Sequence, residues 1–220
     1  MASNPTLRPL PGGEPLSREF IARHQQARII AAFAAEASER GYHAVTVSDV
    51  VRRAGIARNT FYENFSSKEE CFLAAQRFAS TKALERVVTA AGEIEDWPGR
   101  VRAGLAAFLE YITQEPALAR TCVVEALAAG PASVRCYEES LQSFVSLFKL
   151  GRDVSSYGEK LPKTIDEAIV GGVFWIVYQR LALGQVDELQ GLLPEMLEFV
   201  LTPYLGAEAA RALSVTPQTG

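Results

Sequence analysis

Gly55 separates two short apolar patterns, and its position constrains this chain more than any other feature. A residue free to adopt a left-handed conformation ends a helix. The stretch around it, residues 54–65, starts a new helix almost at once. Turning at about 100° per residue, that second helix carries Ala57, Phe61 and Phe65 on one side. Asn59, Tyr62 and Glu63 fall on the other side, flanked by Arg58 and Thr60. One face anchors and the other is free to read, the arrangement of a helix-turn-helix that sits in a DNA groove.

The neighbouring sequence extends the helical reading in both directions. Residues 1–17 hold Pro5, Pro9, Pro11, Gly12, Gly13 and Pro15 with little periodicity, which predicts a flexible arm carrying Arg8. From 18 to 40, Ile29, Ile30, Phe33, Ala34 and Ala37 recur at helical spacing and Gly41 follows as a stop. Thr46 opens a capping box with Asp49, and Val47, Val50, Val51 and Ala54 supply the buried side of a short second helix. Ser66 or Ser67 caps a fourth helix running to about residue 91.

Further helices are expected over 97–114, 117–129, 132–150, 163–184 and 187–204, about nine in all, with Pro116 and Pro131 at helix starts. The polar, glycine-containing segment 151–162 reads as a surface loop. No strand and no internal repeat is apparent. The expectation is an all-α chain with a flexible arm (1–17) and a three-helix helix-turn-helix domain (18–67). A helical effector-binding and dimerisation domain (68–206) and a C-terminal tail (207–220) follow.

Composition is consistent with that reading. The formal net charge of -4 opposes nucleic-acid binding only until it is divided by position. Residues 1–75 carry nine Lys or Arg against eight Asp or Glu, whereas the remainder carries thirteen against eighteen. A less acidic N-terminal module in front of an acidic body permits DNA binding. Cys71, Cys122 and Cys136 are odd in number, lack Cys-x-x-Cys spacing and lie in apolar patterns. They read as small buried hydrophobes in a reducing cytoplasm, without a disulfide framework or metal site. No signal-peptide order is present, and the longest apolar run, 173–178, is too short to span a bilayer. A cytoplasmic protein without membrane contact is expected.

The last two helices differ from the rest. Residues 169–178 are apolar on nearly every side, and Leu189, Leu192, Leu193, Met196, Leu197 and Val200 form a broad stripe on the next helix. A helix apolar all round is buried all round, either within its own domain or partly against a second subunit. A homodimer through these two helices is expected. Gly171 and Gly172 permit close approach of a neighbouring helix.

The span from about residue 28 to residue 73 resembles the DNA-binding domain of the TetR family of transcriptional regulators. Gly41, Thr46, Val50, Ala54, Gly55, Ile56, Thr60, Phe61, Tyr62, Phe65 and Lys68 carry the resemblance. It implies a cytoplasmic, all-helical homodimer reading a palindromic operator on double-stranded DNA. A ligand in the C-terminal domain changes the separation of the two reading heads, most simply releasing a repressor from its operator. By the same resemblance Ser48, Arg58, Asn59 and Tyr62 meet bases, and Thr46, Thr60, Asn64 and Lys68 meet phosphates. Two departures stand out: Ala57 replaces a capping hydroxyl at the start of the recognition helix, and Glu63 brings a carboxylate to the DNA-facing side.

Phe108, Tyr111, Cys122, Glu125, Phe144, Phe148, Trp175 and Tyr178, with Tyr137, combine apolar bulk with a few polar ends on central helices. They are the candidate lining for a small, mostly apolar effector, although aromatics at helical spacing also build cores. Glu125 and Arg180 are the polar groups expected inside this region. No cofactor is implied, and no nucleophile, base and orienting group assemble into a catalytic set, since His24 and His43 both fall in the N-terminal module. The rival reading is a helical ligand-carrying or protein-interaction module without specific DNA binding, prompted by Ala57 and Glu63.

Overall fold

The structure is a computed structural model in which residues 18–92 and 94–215 are described. The expected arm over residues 1–17, with Arg8, lies outside the described residues, as do residues 216–220 of the expected tail. Within the described residues every regular element is helical: α1 (Arg18–Arg40), α2 (Val47–Ala54), α3 (Arg58–Asn64), α4 (Lys68–Gly92), α5 (Trp97–Gln114), α6 (Pro116–Val123), α7 (Pro131–Val145), α8 (Lys149–Val154), α9 (Ile165–Ala182), α10 (Leu193–Leu205) and α11 (Ala207–Val215).

Local chemistry sets the first boundaries. Thr46 accepts the Asp49 N–H at 3.3 Å, and the Asp49 carboxylate accepts the Thr46 N–H at 3.0 Å, so both ends of the capping box are made. Gly55 takes φ 63° and ψ 42°, the left-handed conformation that closes α2 after two turns. Ala57 starts α3 with no side-chain cap. It is exposed, and Phe61 and Phe65 alone anchor that helix in the core.

Two apolar clusters result. One joins Ile29, Phe33, Val50, Phe61 and Phe65 to Cys71, Phe72 and Ala75 from the first turns of α4, and it also takes in Leu118 of α6. The other gathers Leu109, Ile112, Ile169, Val177, Leu197, Leu201 and Tyr204 from α5, α9 and α10. α4 contributes to both, so a single 25-residue helix forms the spine of the molecule.

Among the described residues eleven α-helices stand where about nine were expected, and several segments differ: the helix expected over 117–129 stops at Val123, and that over 132–150 is divided by a 3-10 turn at Ser146–Phe148. Residues 207–215 form α11 where a tail was expected, its Ala210 fully buried. Only part of 151–162 is irregular, since α8 runs to Val154 and a 3-10 turn spans Gly158–Lys160. Arg152 pins this segment to Asp166 at 2.8 Å, and Ser155 donates to the Tyr204 carbonyl. Gly151, read from sequence as a breaker, lies against the Trp97 ring, where an added Cβ would stand 2.3 Å from a ring carbon. Finally, residues 186–192 wind as a 3-10 helix before α10 begins.

Charges bind α1 to α2. Arg53 reaches Glu36 at 2.8 Å and Glu39 at 2.6 Å, while Asp49 takes Arg52 at 2.7 Å and Arg40 at 3.1 Å. The Thr46 hydroxyl and then the arginines hold the Asp49 carboxyl well below the usual carboxylate range, and the Arg53 bond lowers Glu36 likewise. A carboxylate depressed in the folded state stabilises it above the unfolded pKa, and that stability is lost as pH falls. Acid unfolding of the wild type is therefore expected to steepen below about pH 5. Asp49→Asn should show a shallower acid limb in a pH titration of unfolding free energy; identical limbs would contradict this assignment.

Candidate nucleic-acid interface and effector cavity

The α2–α3 turn presents a compact polar cluster. The Arg58 guanidinium donates to Ser48 Oγ at 3.1 Å and to the Tyr62 hydroxyl at 3.2 Å, with its carbon 5.5 Å from the Tyr62 ring centre. Beneath it, Phe61 is fully buried and meets Tyr62 edge-on. Three of the four expected base contacts, Ser48, Arg58 and Tyr62, thus converge, and Asn59 and Glu63 are exposed on the same short helix. An arginine held as a planar fork suits guanine O6 and N7, and an asparagine suits adenine.

The expected phosphate contacts divide differently. The Thr46 hydroxyl donates to Asp49 Oδ2 at 2.6 Å, so its hydrogen is committed to the cap. Asn64 donates to the Thr60 carbonyl at 2.8 Å within α3. Lys68 donates to the carbonyls of Tyr42 and Val45, both at 3.0 Å, and its ammonium lies 4.3 Å from the Tyr42 ring centre. Burial lowers its pKa. Lys68 is therefore first a clamp on the turn before α2, leaving one of its three N–H donors for a phosphate.

The same turn is gripped from the other domain. Glu125, just after α6, is buried and accepts the Tyr42 N–H at 2.8 Å. Arg120 lies 3.9 Å from the other Glu125 oxygen and donates to the Leu181 carbonyl in the last turn of α9 at 2.8 Å. Glu125 and Arg180 were expected as polar groups inside the effector region. Glu125 instead caps a backbone donor of the N-terminal domain, and Arg180 meets Glu188 at 3.5 Å. Backbone pairing across two domains leaves no trace in local periodicity.

A cavity of about 260 Å³ opens between the end of α4, the first half of α5, and α7 to α10. That is a little under the roughly 300–1,000 Å³ of drug-sized sites. Phe108, Phe144 and Phe148 line it as expected, together with Trp97, Val101, Leu105, Val170 and Phe174, and Arg100 is its one charged lining residue. Val87 and Val88 of α4 line it as well: Val87 is buried and Val88 is half exposed at the cavity, a division that local spacing does not announce. Tyr111, Cys122 and Tyr137 instead line a smaller chamber of about 30 Å³ behind Phe108, Phe144 and Phe174.

Trp175 and Tyr178 line neither space. They stack on the outside of α9, with ring centres 5.4 Å apart, and Trp175 is 58% exposed. A helix apolar on all sides does not reveal which side meets its own core. Nearby Gly172 admits the exposed Phe199 of α10, since a Cβ there would stand 2.8 Å from that ring. The cysteines behave as apolar groups: burial pushes the Cys71 and Cys122 thiols up to about 12. Among the described residues no group of three potential ligands is arranged to hold a metal ion, and no helix is long and apolar enough to cross a membrane.

The geometry is that of a helix-turn-helix head on a helical body with an apolar cavity. Residues 29–75 match the family model of bacterial regulatory proteins of the tetR family. A 77-residue stretch is 32% identical to the HTH-type transcriptional activator FasR of Mycolicibacterium smegmatis, covering 35% of each chain. The alignment thus spans about a third of that relative. The fold is similar to the fatty acid degradation regulator FadR of Bacillus halodurans, with TM-score 0.74 and 18% identity over 80% of this chain and 94% of that one. It is also similar to FadR of Bacillus subtilis in complex with stearoyl-CoA, with TM-score 0.67 and 18% identity over 80% and 98%.

The Glu125 bond gives a direct test. Glu125→Ala strands a buried N–H and should lower unfolding free energy by about 1–3 kcal/mol in denaturant titrations. Glu125→Gln keeps an acceptor and should lose less than half as much; equal losses would assign the effect to charge.

Proposed function

We propose that this protein is a ligand-responsive transcriptional regulator of the tetR type. In this reading it acts as a cytoplasmic homodimer on a palindromic operator and is released as a repressor when a small, mostly apolar molecule fills the effector cavity. The observation that carries the reading is the Ser48, Arg58 and Tyr62 cluster, exposed above the buried Phe61 and Phe65. Asn59 completes the base-reading set, and Lys68 with Thr60 supports the backbone contacts. The outer face of α9 and α10, with Trp175, Leu183 and Phe199 exposed, is the surface assigned to the partner subunit.

A ligand changes operator occupancy only through unequal affinity for the two head arrangements. The Arg120–Glu125–Tyr42 chain supplies a physical link, since it runs from the end of α9 to the turn that sets α2. FadR of Bacillus subtilis was crystallised with stearoyl-CoA; by analogy, a molecule with a long hydrocarbon part is the effector class proposed here. Activation is the second reading, favoured by FasR being named an activator.

Selection of bound sequences from random duplex DNA by the purified protein at low salt should enrich a palindrome with half-sites about one helical turn apart or a multiple of it. Enrichment of nothing would reject the regulator in favour of a helical module without specific DNA binding. On the enriched site Arg58→Ala should cost about 1–3 kcal/mol and relax one base position, whereas Lys68→Ala should weaken all sequences alike. Matching losses across operator variants for both would contradict the assigned roles.

A further inference from the structure

The small chamber behind the main cavity is, like it, mostly apolar, but more polar side chains stand at its walls. Phe108, Phe144 and Phe174 belong to the walls of both, their ring centres 5.3–5.5 Å apart, and so form a three-ring partition. In front of the partition the walls are almost entirely apolar. Behind it stand Gln76, Ser80, Tyr111, Cys122, Tyr137 and Ser140. Most of these polar groups are engaged: Ser140 Oγ lies 2.8 Å from the Cys136 carbonyl and 2.9 Å from Ser80 Oγ, Gln76 Oε1 accepts from Ser133 at 3.0 Å, and the Cys122 thiol donates to the Gln76 carbonyl.

Tyr111 is not among them. The residue is 4% exposed, and its buried hydroxyl has no hydrogen-bond partner among the described residues. A buried hydroxyl that makes no hydrogen bond has given up its water without compensation, a penalty that native structures seldom leave without a reason. At about 30 Å³ the chamber has space for one or two non-hydrogen atoms, the end of a ligand and not its body. No charged side chain lines it. An ionised group would be buried there without compensation, so the group it accepts is neutral.

We propose that the chamber is a polar subsite of the effector cavity, taking a neutral oxygen, hydroxyl or carbonyl, at the inner end of a largely hydrocarbon molecule. Tyr111 donates to that oxygen, the hydrocarbon lies in the main cavity, and the Phe108, Phe144 and Phe174 rings part to let the polar end through. The ring partition then selects ligands long enough to reach the chamber and polar enough to remain in it. This inference rests on the reading of the main cavity as the effector site.

The test compares 1-decanol, decane and decanoate binding to the full-length protein and to Tyr111→Phe, which keeps the ring and removes only the hydroxyl. Titration calorimetry should give 1-decanol the highest affinity, with a fall of about five- to tenfold in Tyr111→Phe and no change for decane. Equal affinities of 1-decanol in the two proteins overturn the subsite and leave the cavity reading intact, as does a structure of the 1-decanol complex with only water in the chamber. Preference for decanoate without dependence on Tyr111 also overturns it. Binding of no probe rejects the cavity as an effector site and the subsite with it.

Discussion

One buried carboxylate holds the two halves of this molecule in register. Glu125 accepts the Tyr42 N–H, and the Tyr42 carbonyl accepts from Lys68. The turn from Tyr42 to Ala44 is thus held from both sides, and Thr46 begins α2 immediately after it. Because α2 carries Ser48 and packs beside α3, the Glu125 contact joins the reading head to the segment after α6, alongside the packing of Leu118 and the α4 spine. Burying that carboxylate is tolerable only with its partners in place, so the contact favours two alternatives, made or broken, over gradual loosening.

α6 is suited to this position by its brevity and its mixed loyalty. Leu118 packs into the N-terminal cluster, while Ala119 and Val123 pack into the other. Arg120 holds the end of α9, whose Val170, Val173 and Phe174 form part of the wall of the 260 Å³ cavity. The end of α9 and the turn before α2 are thus joined through a few side chains.

What could be read from the sequence was what neighbours along the chain decide. The Thr46–Asp49 box, the left-handed Gly55 and the buried Phe61 and Phe65 follow from spacing of four residues or fewer, and each stands where the pattern puts it. Partners distant in sequence were not readable. Glu125 finds the Tyr42 N–H across 83 residues, and Lys68 finds the Tyr42 carbonyl across 26, pairings with a backbone donor and a backbone acceptor that no local spacing announces. Trp175 and Tyr178 were assigned to the interior because apolar bulk identifies a buried face without naming its partner. Gly151 was taken for a loop signal because a sequence cannot show that a tryptophan ring occupies the space a side chain would need.

The internal ion pairs have a consequence for how such a head meets DNA. Arg28 caps the Ala54 carbonyl at 2.7 Å, Arg40, Arg52 and Arg53 answer Glu36, Glu39 and Asp49, and Lys68 clamps two carbonyls. Arg58, directed at hydroxyls, is the cation of the reading cluster left to face outward. A head framed this way displaces few counterions from a phosphate backbone and so has little sequence-independent grip. Its lifetime on arbitrary DNA would be short, and most of its retention at any site would come from the shape and hydrogen bonding of the bases themselves.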